Sequence, residues 1–74
     1  MSYSVNVKAK GVVLRKGEHA FEDMYHALGS AALLASEMTA RYSPKSGVSM
    51  PAGLAVEVVD TGGKVVFRLP IDIR

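Results

Sequence analysis

The sequence predicts an α+β fold in β(β)αββ order, with one long helix packed on one face of a small antiparallel sheet of three to four strands. Three patterns carry this expectation. Residues 21–42 are the only segment with sustained helical periodicity, residues 3–10 alternate polar and apolar, and residues 54–69 hold two alternating runs around Asp60-Thr61-Gly62-Gly63. A helix laid over one face of a sheet is the economical way to bury all three apolar faces. The 74 residues amount to a single domain, 1–74.

Tyr3, Val5, Val7 and Ala9 alternate with Ser4, Asn6, Lys8 and Lys10, the period of a half-buried strand. Gly11 interrupts it. Val12, Val13 and Leu14 then run into Arg15, Lys16 and Gly17, which reads either as a second strand paired back on the first or as an irregular arm. Residues 18–20 lead into the helix.

At ~100° per residue, Met24, Ala27, Leu28, Ala31, Leu34, Ala35, Met38 and Tyr42 fall on one face. Glu22, His26, Ser30, Glu37 and Arg41 fall on the other. Glu22 and Asp23 are placed in the first turn and Arg41 in the last, each with the sign that the macrodipole favours. Ser43 before Pro44 is pushed towards extended backbone, which ends the helix. Ala27, Ala31 and Ala35 let another element approach the buried face closely. On the polar side, Leu33 is joined by Tyr25, Gly29, Ala32, Ser36 and Ala40, a flank without charge. Contiguous weakly polar surface of that kind marks interfaces, so these six residues are the candidate interface.

Residues 43–53 hold two prolines and two glycines and read as a surface loop, with Val48 and Met50 available to anchor it on the core edge. Leu54, Val56 and Val58, then Val65, Phe67 and Leu69, give a hairpin with one face inward, and Pro70 marks an edge strand or strand end. Ile71 and Ile73 extend the inward face. The expected core is Tyr3, Val5, Val7, Met24, Leu28, Ala31, Ala35, Met38, Val56, Val58, Val65, Phe67 and Leu69. The outer sheet face carries Ser4, Asn6, Lys8, Glu57 and Arg68.

Cysteine is absent, so neither a disulfide nor a thiolate metal site supplements the small core, and a reducing, cytoplasmic setting fits. The first residues alternate and lack an apolar run, so no signal peptide is expected. No stretch approaches the ~18 apolar residues of a membrane span. Net charge is +2, but Lys8, Lys10, Arg15 and Lys16 all precede the first acid, Glu18. Those four form the candidate anion-binding set.

The ending VEVVDTGGKVVFRLP, the helix DMYHALGSAALLASEM and the start YSVNVKAKG together resemble a family of short bacterial proteins of unknown function. Its members share an N-terminal strand, an alanine-rich helix and a final hairpin closing on an apolar residue and proline. This chain departs from the family in the segment before the helix, which is basic rather than acidic, and in a first strand with only Tyr3 as aromatic. The resemblance implies no catalytic residue.

Other motifs weaken on their own chemistry. Asp60-Thr61-Gly62 after two valines looks like the catalytic triplet of retroviral-type aspartic proteases, in which two carboxylates share a proton. The same residues spell a hairpin turn, and the long central helix does not suit a β-rich protease half. His19/Asp23 and Glu22/His26 have i, i+4 spacing, but a usable metal site needs three or four ligands and the histidines stand about 10 Å apart along a helix. No nucleophile–base–orienter set and no phosphate loop is present. The expectation is a non-enzymatic module without cofactor or metal, acting on a protein partner or as a homodimer through the uncharged helix flank and the sheet edges. The alternative is a nucleic-acid-associated regulator using the four basic residues.

Overall fold

A computed structural model describes residues 2–17 and 19–71. The elements are β1 (Tyr3–Ala9), β2 (Val12–Lys16), α1 (Met24–Arg41), a short 3₁₀ turn (Pro44–Ser46), β3 (Leu54–Asp60) and β4 (Val65–Pro70). The strands form one antiparallel sheet in the order β2-β1-β3-β4. Two hairpins are therefore zipped together through their inner strands, β1 and β3. The first hairpin turns at Lys10 (φ 50°) and Gly11 (φ 77°), successive left-handed residues whose twist matches that of the flanking strands.

The register puts Val5 opposite Val58, Val7 opposite Val56 and Ala9 opposite Leu54, all on the face beneath the helix. Val5, Val7, Val56 and Val58 are completely buried, each stabilising the fold by roughly 1.5–3 kcal/mol relative to exposure. Ala27 and Ala31 are 0% exposed, so α1 sits on the sheet at its alanines, as their spacing predicts. It lies mainly over β1 and β3 and touches β4 less. A helix ~10 Å across covers about two strands spaced ~4.8 Å apart, so the outer strands are left thinly covered.

That width and a bulge in β4 explain the corrections to the expected core. Val65 and Phe67 are 40% and 41% exposed. Phe67 is paired with buried Val58 and does face the helix side, but on the edge that the helix does not reach. Val65 is turned to the outer face because β4 carries an extra residue, Val66, in its pairing with Val58 and Val59. A one-residue shift flips every following side chain, and Val66 packs on the core in place of Val65. Met24 is only half-buried. Ala9, Ala27, Leu54, Ala55 and Ile71 join the core. Ile73 lies outside the described residues.

The helix begins later than its periodicity suggests. Tyr3 N–H donates to Phe21 O (2.6 Å) and Phe21 N–H donates to Tyr3 O (2.7 Å), so Phe21 continues the pairing with β1. Asp23 is the N-cap and its Oδ1 accepts from Tyr25 N–H at 2.9 Å, the usual use of aspartate at that position. Glu22 and Asp23 thus precede the first turn, and His19 lies in the preceding loop, off the helix altogether.

The outer sheet face is less exposed than its polar residues imply. Lys16, Asn6, Glu57 and Arg68 lie side by side across the four strands. Glu57, its side chain 12% exposed, holds Lys8 Nζ at 3.0 Å and Arg68 Nε at 3.7 Å. Replacing Glu57 by alanine leaves two neighbouring cations without their counter-charge. The expected loss is about 1–2 kcal/mol, between the values for exposed and buried pairs, read as a lower urea midpoint that converges with wild type at high salt.

Candidate interaction surface

The exposed side of α1 presents the predicted interface residues together. Tyr25 is 83% and Leu33 70% exposed, and Gly29, Ala32, Ser36 and Ala40 are exposed beside them. Within α1 the only acid is Glu37 and the only permanently cationic residue is Arg41. Both lie on the flank towards β2, where Arg15 Nη1 approaches Glu37 Oε2 at 3.8 Å. The face pointing away from the sheet is consequently uncharged from Tyr25 to Ala40. A helix packed on a sheet normally turns charged and polar residues to water, and this face departs from that pattern.

Between β2 and α1 lie two hollows that share Arg15, one lined also by Lys16, Leu33, Leu34 and Glu37 and the other by Leu14, Met38, Arg41 and Tyr42. Every residue of β2 is exposed, with Val12, Val13 and Leu14 at 61%, 44% and 49%. Both sheet edges, however, carry devices that discourage strand addition. β2 is bulged at Leu14 and bears Arg15 and Lys16, and β4 is bulged at Val66 and ends in Pro70. The helix flank is the less guarded of the two predicted routes to association.

Of the four basic residues, Lys8, Lys10 and Lys16 lie on or beside the outer sheet face, Lys10 lining the same hollow as Lys8 and Arg68, and Arg15 alone faces the other way. Lys8 and Lys16 lie on the outer face, where Lys8 is engaged by Glu57. Arg15 is opposite Val7 and faces the helix side, and Lys10 lies in the turn. Arg68 joins Lys8 across the sheet. Sequence order concealed that neighbour, because it is far along the chain and becomes adjacent only through the β1–β3 pairing.

Asp60 Oδ1 accepts from Gly62 N–H and Lys64 N–H, each at 2.9 Å, so the carboxylate organises the hairpin turn. His26 Nδ1 is 3.0 Å from Asp23 Oδ2. Among the described residues no three His, Cys, Asp or Glu side chains gather as a metal site, and no helix is long and apolar enough to cross a membrane. Asn6 is 7% exposed on the outer face, and its Oδ1 has no hydrogen-bond partner among the described residues.

The chain matches no family model, and no curated protein or solved structure matches it at a significant level.

Proposed function

We propose that the protein is a non-enzymatic interaction module whose working surface is the uncharged outer face of α1. The observation that carries this reading is Leu33, 70% exposed together with Tyr25 at 83% on a helix face without charge. Water gains little from such a face, and a protein surface that covers it gains the apolar area of both residues. The engagement of Lys8 by Glu57 and the placement of Arg15 on the opposite face of the sheet favour this reading over nucleic-acid binding, which needs its cations free and on one surface.

The test is to immobilise wild type and Leu33→Glu, compare what each captures, and measure the solution mass of both against the chain mass of 7.9 kDa. The position is exposed, so the variant is expected to keep its far-UV circular dichroism while losing association. A wild type that stays monomeric at millimolar concentration and captures nothing through Leu33 would sink the proposal.

A further inference from the structure

We infer that the occupant of this face is a second copy of the chain, its α1 packed antiparallel on the first about a twofold axis between Ala32 and Leu33. The inference rests on the proposed interaction surface and adds the partner and its orientation. An isologous contact must be complementary to itself, and this face is. The axis passes beside Leu33, so the two copies of Leu33 cover each other, while Gly29 lies level with the partner's Ser36 and Tyr25 level with the partner's Ala40. Of the two protruding side chains, Leu33 at 70% exposure meets its own copy and Tyr25 at 83% lies level with a small residue.

The charges select the same direction. Glu22 and Asp23 precede the helix, and Arg41 and Lys45 lie at or beyond its last turn. Antiparallel packing brings the acidic end of one helix beside the basic end of the other and opposes the two macrodipoles. Parallel packing would set like beside like. Glu37, the one acid within α1, would come alongside the partner's His26, which is itself exposed on the same side of the helix. Gly29 fits the arrangement too. A glycine inside a helix is destabilising, and within one chain nothing lies within 4 Å of the Cβ that it lacks. Two helix axes crossing about 8 Å apart would use that missing volume.

The chain has no cysteine, so single introduced thiols report cleanly. A mixture of Tyr25→Cys and Ala40→Cys chains, treated with a short bismaleimide, is expected to give a covalent heterodimer. Tyr25→Cys alone is expected to give no homodimer, because the two copies of that position stand roughly 22 Å apart. Ala32→Glu is expected to abolish the dimer in sedimentation while circular dichroism shows the helix intact. A link between two copies of position 25, or a dimer that survives Ala32→Glu, overturns this geometry and leaves association through another surface. A chain monomeric at all concentrations that captures a different protein through Leu33 overturns the second copy as occupant and leaves the proposed surface standing. Loss of both association and capture removes the surface itself.

Discussion

Ala31→Leu is expected to lower stability by about 2–3 kcal/mol, the upper part of the usual range for overpacking. Ala31 is 0% exposed and belongs to the cluster of Val5, Val7, Val56 and Val58. Three further heavy atoms there must lift the helix from the sheet or force a strand out of line, because interiors leave no room of that size. A domain of this length has about 4–11 kcal/mol to lose, so the change takes a large share of it. The urea midpoint of Ala31→Leu should fall well below wild type with the slope unchanged, while Thr39→Leu, exposed on the same helix and outside the proposed interface, should leave the midpoint nearly where it was. Equal midpoints for the two variants would mean that the helix is not seated at its alanines.

Gly17→Ala is expected to cost about 1–3 kcal/mol, the penalty for leaving a buried backbone acceptor without its donor. A Cβ at position 17 would collide with Val5 O, the same atom that accepts Gly17 N–H at 2.7 Å. Contact and hydrogen bond cannot coexist, so the backbone must move apart at the end of β2. Amide exchange should accelerate at Gly17 and at the Tyr3–Phe21 bridge just beyond it, and much less at Val56 and Val58 in the central pair. Unchanged protection at Gly17 would show that the strand end absorbs the methyl group.

The helix was readable because Ala27, Ala31 and Met38 repeat at its own period, and each is buried. Its start was not. Phe21 suits a helix as well as it suits a strand bridge, and the Tyr3–Phe21 pairing is decided by a segment far away in sequence. The outward turn of Val65 is hidden from the sequence for a related reason. Alternation assumes an unbroken register, and the extra residue at Val66 breaks it without leaving a glycine or proline as a marker. The candidate interface was legible as a set because all six residues belong to one helix, whose period fixes their common face. The basic set was not, because its members lie on two strands and a turn whose faces depend on the bulge at Leu14.

The amino-acid sequence alone determined the number and kind of the main elements, the alanine-lined seat of α1, its uncharged outer face and the Asp60 turn. Each of these rests on steric and hydrogen-bonding preferences between residues within a few positions of one another. Only the tertiary structure decided that β1 lies beside β3, that Phe21 closes on Tyr3, that Glu57 sits between Lys8 and Arg68, and that Gly17 must lack a side chain. Those outcomes depend on which distant strands meet and in what register, and that choice is made by the packing of the whole core rather than by any local pattern.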